Sequence, residues 1–391
     1  MKLVLNGHDE RYVVEQGMLN LFPGERPVYE PIGPGDDSWA VVTLREDDRC
    51  HVTVELCFRG KSLPYSLDVP LVGDEFQREG IRRRAIGKCF FLAARALTGH
   101  TPPWGMLTGV RPVKLPTRAL LSGATPLQAK QELREEYYVS PDRAALAVDC
   151  AQASIAAQRS LKEGEVSLYL GIPFCPTRCA YCSFVSADVG RTLTLVEPYV
   201  DALLKEIDGT ARVLTESGRT IRSFYMGGGT PTTLSARQLD RVLTRCEQVL
   251  PLEGCTELTV EAGRPDTINR EKLEVLRAHG VGRVSINPQT LEDHVLESIG
   301  RKHSSGDIQT AYDLARKVGF DCINMDLIAG LPLDSLGGFR RSLDGVLAMG
   351  PENITVHTLA LKKGSALIQR KGALPGGEEV AQMLDYSRTT L

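Results

Sequence analysis

The chain has no long apolar run. Nothing in its 391 residues approaches the roughly 18 consecutive apolar positions a membrane-crossing helix needs, so no membrane span is expected. It also lacks an excess of either charge. The 46 basic and 49 acidic residues give a formal net charge of −3, which removes the global electrostatic argument for nucleic acid or an anionic membrane as partner. Met1–His8 turns polar too soon for a signal peptide, and the ten cysteines form no dense disulfide-type framework. Together these lead us to expect a reducing, cytoplasmic setting. The apolar share of 42% and charged share of 24% are those of a soluble globular chain, long enough for two or three domains.

Residues 1 to about 160 read as a separate α+β unit. Residues 51–58 alternate like a strand, with Val52, Val54 and Leu56 against Thr53, Glu55 and Cys57. Residues 39–44 are the expected partner strand, with 45–49 as a charged turn. Residues 82–97 predict a helix with Ile86, Phe90 and Ala94 on one side. Thr125-Pro126 and Ser140-Pro141 each put a cap residue before a proline at the first helical position, predicting helices over 126–137 and 141–161. Arg82-Arg83-Arg84, read as opening its helix, either meets an anionic ligand or forms a solvated face.

From Val166 onward strands alternate with helices. Strands are expected at 166–172, 222–226, 257–261, 282–286, 321–328 and 353–359. The intervening helices are expected near 193–214, 235–249, 268–279, 291–299, 306–318 and 336–348, with Gly280 and Gly319 where helix ends need a left-handed residue. Such alternation implies a parallel sheet, doubly wound or a partial barrel, whose chemistry would gather on the loops after the strand C-termini.

The polar motifs fall at those ends. After the first strand come Cys175, Cys179 and Cys182, spaced C-x3-C-x2-C. Three thiolates so close can cap three irons of a four-iron cluster and leave the fourth open, a place to bind and reduce something. A zinc knuckle is the alternative, but structural zinc wants four protein ligands; Cys246 is the nearest spare, with Cys255 and His279 further off. After the second strand, Gly227-Gly228-Gly229-Thr230-Pro231-Thr232 would allow close backbone approach and leave N–H groups free for a ligand. Glu261 ends the third strand, either meeting a ribose or solvated. Gln289 follows the fourth, and Arg301 lies twelve positions beyond it. Asn324 and Asp326 share one face of the fifth strand. A buried acid there is costly unless paired, so contact with a ligand or Arg301 is expected.

As a set, the cysteine loop, the Gly-Gly-Gly-Thr-Pro-Thr turn, the Gln289 strand end and Asp326-Leu327-Ile328-Ala329-Gly330-Leu331-Pro332 resemble the radical S-adenosylmethionine (SAM) superfamily. Within it, about 165–365 resemble the oxygen-independent coproporphyrinogen III oxidases and their relatives. Residues 104–112, Trp-Gly-Met-Leu-Thr-Gly-Val-Arg-Pro, and the N-terminal portion further resemble the coproporphyrinogen dehydrogenases of Gram-positive bacteria. The resemblance implies an α/β fold: a partial (β/α)6 radical SAM barrel over 161–365 behind an N-terminal α+β domain over 1–160. It implies a [4Fe-4S] cluster on Cys175, Cys179 and Cys182, with SAM chelating the open iron. Tyr169, also the candidate catalytic residue, and Tyr181 would lie against the cofactor. Gly227, Gly228, Gly229 and Thr230 would receive the amino-acid end of SAM and Glu261 its ribose. Gln289, Arg301 and Asp326 match further cofactor contacts, and Ala360 would meet the adenine through its backbone. The implied reaction breaks a carbon–sulfur bond of SAM and uses the resulting radical to turn two propionates of coproporphyrinogen III into vinyl groups. A low-potential donor such as flavodoxin or ferredoxin would supply electrons.

Many oxidases of this family continue the cluster loop as Cys-x-Cys and carry a histidine in the preceding strand. Here Ser183-Phe184 follows Cys182, and the strand position is Gly171. Relatives that bind haem and pass it on also lack that cysteine, so a haem carrier on the same scaffold is the alternative, with His357 as a conceivable axial ligand or simply a satisfied strand-end histidine. Glu378-Glu379 opens a helical pattern within which the sequence ends, so 366–391 is expected to begin an incomplete C-terminal region. The remaining cysteines are expected to act as small hydrophobes.

Overall fold

Polar–apolar alternation in the first seventy residues produces a four-stranded sheet: β1 (Lys2–Asn6), β2 (Ser38–Glu46), β3 (Arg49–Phe58) and β4 (Lys61–Pro70). They lie in chain order, β1 parallel to β2 and the rest antiparallel. Helices α1 (Arg11–Leu21) and α2 (Glu75–Thr98) follow β1 and β4, and α3 (Lys114–Leu121), α4 (Pro126–Glu135) and α5 (Pro141–Arg159) complete this part of the chain. Val52, Val54 and Leu56 form one buried cluster with Ile86, Phe90 and Ala94. The computed structural model describes residues 1–109, 111–362, 364–368 and 374–391. Its contacts divide the chain into two units, Met1–Ser160 and Leu161–Leu391. Val110, inside the 104–112 motif, lies outside the described residues.

Helix α2 begins seven residues before the expected start. Asp74 accepts from the Gln77 N–H and Gln77 reaches back to the Asp74 N–H, a capping box that opens the helix ahead of its apolar stripe. The arginine triplet therefore lies in mid-helix rather than at its opening. Arg82 pairs with Glu46 (2.9 Å) and Glu75 (2.6 Å), and Arg83 with Glu10 (3.2 Å). That is a paired, solvated face.

The second unit carries β5 (Glu165–Ile172), the short pair β6 (Phe174–Cys175) and β7 (Ala187–Asp188), then α6 (Val189–Glu216), β8 (Thr220–Gly228), α7 (Ala236–Val249), β9 (Glu257–Gly263), α8 (Arg270–Ala278) and β10 (Arg283–Ile286). After these come α9 (Asp293–Ser298), α10 (Ser305–Val318), β11 (Cys322–Ala329), α11 (Leu336–Met349), β12 (Asn353–Thr358) and α12 (Gly377–Thr390). The six long strands order as β5-β8-β9-β10-β11-β12, all parallel. Each strand neighbours its predecessor, so the sheet winds in one direction: the partial (β/α)6 barrel rather than the doubly wound alternative. Helix α6 is kinked at Thr192 (φ −128), which is why its regular pattern in the sequence starts only at 193.

Alternation then decides what each face carries. Leu170, Ile172, Phe224, Met226, Val260, Val284, Ile286, Ile323, Met325 and Leu327 enter the apolar core. Their alternates, Tyr169, Tyr225, Glu261, Ser285, Asn324 and Asp326, fall on the opposite face. A parallel sheet normally buries both faces in apolar side chains. A row of polar groups on one face marks where the fold carries chemistry.

One buried acid lies away from that face. Asp334, in the turn after β11, is 8% exposed; one carboxylate oxygen accepts from the Ser335 N–H (2.8 Å) and the other has no partner. Burial, aided by the charge of Glu292, pushes its carboxyl up to about 6 from 3.8. Between those values the folded chain holds a proton that the unfolded chain releases. Stability therefore falls as pH rises through that window and stays lowered above it. Asp334→Asn keeps the acceptor and removes the charge. Urea midpoints should show the variant more stable by on the order of 1–3 kcal/mol at pH 7 and nearly equal to the parent at pH 4; equal stability at both pH values would contradict this.

Candidate cofactor site

The cysteine loop is sewn to the glycine turn. The Gly229 N–H donates to Ile172 O and the Thr230 N–H to Phe174 O, both at 2.7 Å. The Thr230 hydroxyl lies 3.5 Å from Cys175 Sγ. Two of the amides expected to stay free for a ligand are thus committed to the loop, and the turn's remaining contribution is close approach. A Cβ on Gly229 would sit 2.6 Å from Phe174 O, 2.9 Å from Ile172 O and 3.0 Å from Cys175 Sγ, and Gly228 adopts φ +108. Only glycine permits this contact. Further along the loop, the Ala180 N–H donates to Ile299 O (2.9 Å) and the Thr177 hydroxyl to Gly300 O (3.1 Å).

On the polar face, Tyr225 donates to Glu261 (2.6 Å) and stacks on Tyr169, ring centres 5.9 Å apart. Burial raises the Glu261 carboxyl; the Tyr225 hydrogen bond opposes this and the charge of Asp326 adds to it. Asn324 donates to Ser285 Oγ and to Asp326 Oδ1, both at 2.8 Å, while Thr355 donates to Asn324 Oδ1 (3.1 Å). Of the two partners expected for Asp326, a ligand or Arg301, the arginine is not there: the Asn324 amide takes its place. Arg301 instead donates to Asn287 O (2.6 Å) and the Tyr181 hydroxyl (3.2 Å). Burial works against its charge, but Tyr181 and Cys179 outweigh it and hold Arg301 protonated. Gln289 takes a left-handed conformation (φ +72), fixed by its N–H donating to Asp326 O (2.9 Å) and its carbonyl accepting from Ile328 (3.0 Å). A non-glycine residue there stores about 1–2 kcal/mol of strain.

These groups surround a cavity of about 430 Å³, within the range of small-molecule sites. It is lined by Cys175, Cys179, Cys182, Tyr181, Gly228, Gly229, Thr230, Glu261, Gln289, Arg301, Asp326 and Ala360, and also by Ser183, Phe184 and His357. Tyr169 and Gly227 are not in the lining. Tyr169 is 60% exposed and stands behind Tyr225. His357 lies 3.9 Å from Asp326, at the strand end. Sequence reasoning missed Arg264 and Asn287, which also line the cavity. Arg264 follows Glu261 by three positions in a Gly-Arg-Pro-Asp stretch that reads as a turn.

Cys246, Cys255 and His279 do not complete a four-ligand zinc site. Cys246 is buried on the core face of α7, its thiol pushed up to about 12 by burial. Cys255 bonds Glu257 O (3.2 Å), and His279 sits between Glu247 (2.8 Å) and Asp240 (3.0 Å). None of the three lines the cavity.

Three cysteine thiols line a polar cleft at the strand ends, and residues 169–343 match the Radical SAM superfamily. The oxygen-independent coproporphyrinogen-III oxidase-like protein HemZ of Bacillus subtilis is 35% identical over 98% of this chain and 78% of its own length. The chain belongs to that coproporphyrinogen oxidase-like family of radical SAM proteins. The haem chaperone HemW of Bacillus subtilis is also 35% identical, over 56% of this chain and 58% of its own. The structure of coproporphyrinogen III oxidase (HemN) from Escherichia coli superposes with a TM-score of 0.54 at 29% identity, over 61% of this chain and 55% of that one. The chain thus spans little more than half the length of the chaperone and of HemN. Among the described residues no helix is long and apolar enough to cross a membrane.

Proteins of this superfamily use a [4Fe-4S] cluster and SAM. The cavity fits such a pair. Besides the three thiols, Asn287 Oδ1, Ser186 Oγ and Arg301 Nε are buried without a partner at its walls. Orphaned polar atoms of this kind await a ligand, and the Gly228–Gly229 cradle supplies the room beside Cys175.

Proposed function

We propose that this chain carries out oxygen-independent oxidative decarboxylation of coproporphyrinogen III to protoporphyrinogen IX. One observation carries the reading: similarity to the oxidase-like HemZ runs through both units, over 98% of the chain, whereas similarity to the haem chaperone covers 56%. Cys175, Cys179 and Cys182 would hold the cluster, and SAM would lie across the strand ends. Bound there, the pair supplies reductive cleavage of a carbon–sulfur bond and a carbon radical able to abstract hydrogen. Each propionate gives up one hydrogen atom, one carbon dioxide and one electron, leaving a vinyl group; the electron passes to an external one-electron acceptor. A flavodoxin- or ferredoxin-type donor would reduce the cluster.

The chain's own residues bind, orient and shield. Arg301 faces the cavity as a permanent cation for a carboxylate. Glu261, steered by Tyr225, and Asp326, steered by Asn324, are acceptors for ribose hydroxyls. Tyr169 acts through the Tyr225 stack, which makes it a positioning residue. Ala360 offers backbone at the adenine end. Asn287 and Gln289 complete the lining of the cavity that would hold SAM.

A second reading, a haem carrier on the same scaffold, is favoured by Phe184 at the cavity wall, the position where the Cys-x-Cys pattern of many oxidases has its cysteine. Anaerobically reconstituted and reduced protein given SAM and coproporphyrinogen III is expected to yield product lighter by two formic-acid equivalents, read by mass spectrometry. Stoichiometric haem binding and transfer with no such product would select the carrier. Glu261→Gln should weaken SAM binding by about tenfold, the cost of one charge-assisted hydrogen bond, with iron content unchanged; undiminished SAM affinity would remove Glu261 from the site.

A further inference from the structure

Arg264 is 3% exposed, and its guanidinium is committed on both edges. Nη1 donates to the carbonyl and the hydroxyl of Thr177, both at 2.9 Å, and lies 3.9 Å from Cys179 Sγ. Nε and Nη2 form a fork on Asp266, at 3.1 Å to each oxygen. Beyond Asp266 stands His303, 3.5 Å away with its side chain fully buried. Gly263, at φ +63, turns the chain after Glu261 so that Arg264 runs beneath the cysteine loop. No residue type but arginine can bridge a carbonyl, a hydroxyl and a carboxylate in one plane. Arg301, also buried, holds the same loop through the Tyr181 hydroxyl (3.2 Å). Two buried cations therefore hold the cysteine loop, Arg264 at Thr177 and Cys179 with Asp266 as its carboxylate partner, and Arg301 at Tyr181.

We propose that Arg264 is a positioning residue for the iron–sulfur cluster, clamping the Thr177–Cys179 turn and raising the cluster's reduction potential through its buried charge. This rests on the cluster occupying the three cysteines. A cluster gains one electron and one negative charge on reduction. A cation 3.9 Å from a ligand sulfur, shielded from water, favours the reduced form. The fork on Asp266 keeps the guanidinium from swinging into the cavity, and Thr177 is the point where it grips the loop.

The test compares Arg264→Met, Arg264→Lys and Thr177→Val with the parent in the full chain after anaerobic reconstitution. Iron and sulfide per chain, resistance to a chelator and the midpoint of an EPR-monitored redox titration are measured without porphyrinogen. Arg264→Met should lose iron faster to the chelator, and at a fixed poise its reduced fraction should fall about tenfold, equivalent to about 59 mV for a one-electron couple. Arg264→Lys should recover most of the potential but not the chelator resistance, because an ammonium cannot hold both anchors. Thr177→Val should weaken retention at unchanged potential, and with Arg264→Lys it decides the matter if Arg264→Met does not fold. A parental midpoint and parental retention in the variants would overturn the proposal. Because no tetrapyrrole enters the assay, that result would leave the substrate assignment untouched.

Discussion

Cys179→Ser is expected to leave the reconstituted chain essentially without its four-iron cluster and to abolish SAM cleavage. A serine hydroxyl is a hard, weakly acidic donor that replaces a thiolate poorly on iron. Losing one ligand bond, on the order of 4 kcal/mol or more, lowers cluster affinity by about a thousandfold. The geometry allows no substitute. Arg264 lies beside the Cys179 position, and the spare thiol of Cys246, on the core face of α7, does not line the cavity. Cys246→Ala is the control: it should cost stability as a small core deletion, about 1–2 kcal/mol, and leave iron content unchanged. Iron and sulfide analysis with the visible absorption spectrum reads both variants. A Cys179→Ser protein with full iron, or a Cys246→Ala protein without it, would contradict the ligand assignment.

Gly229→Ala is expected to have the next largest effect, and on the cluster rather than on the fold. Its Cβ would meet Phe174 O at 2.6 Å, Ile172 O at 2.9 Å and Cys175 Sγ at 3.0 Å. Two of these are backbone atoms that cannot rotate aside. Overpacking of this kind costs about 1–3 kcal/mol. Here it acts on the two hydrogen bonds that fix the cysteine loop to β8, so relief comes by moving Cys175 away. Iron retention should fall by roughly tenfold or more, while far-UV circular dichroism stays native. Gly227→Ala makes a useful contrast. Its nearest obstacles are the Tyr225 ring (2.9 Å), the Tyr169 hydroxyl (3.1 Å) and the Glu261 carboxyl (3.3 Å). Those side chains can give way, so its effect should fall on SAM affinity and spare the iron. Equal iron loss in both variants would mean that the glycine run acts only through chain flexibility.

The barrel was legible because each of its units repeats one physical pattern. Apolar runs alternating with helical patterns marked all six long strands, and left-handed glycines ended two helices, Gly280 at φ +74 and Gly319 at φ +87. In the first unit the elements that escaped notice carry little local signal. Helix α1 has no side-chain cap, α3 is uncapped and contains Pro116, and β4 holds Pro64, which an edge strand tolerates. The cavity's cast was also readable, since most of its members stand at strand ends. Their partners were not. That Asp326 would rest on Asn324, that the Gly229 and Thr230 amides would be taken by Ile172 and Phe174, and that Gln289 would be left-handed depend on which strands lie side by side. Arg264 shows the limit most clearly. Nothing local separates it from a surface turn arginine, and only the return of the cysteine loop over Gly263 buries it.

If the cysteine loop and the strand-end residues form one site for a cluster and SAM, the reduced chain must cleave SAM. The release of 5′-deoxyadenosine from SAM by the reduced, reconstituted chain tests it most directly, quantified per chain by liquid chromatography. The parent is expected to release 5′-deoxyadenosine and Cys179→Ser none. A parent protein carrying a full complement of iron yet releasing none, or a Cys179→Ser variant releasing as much as the parent, would contradict it.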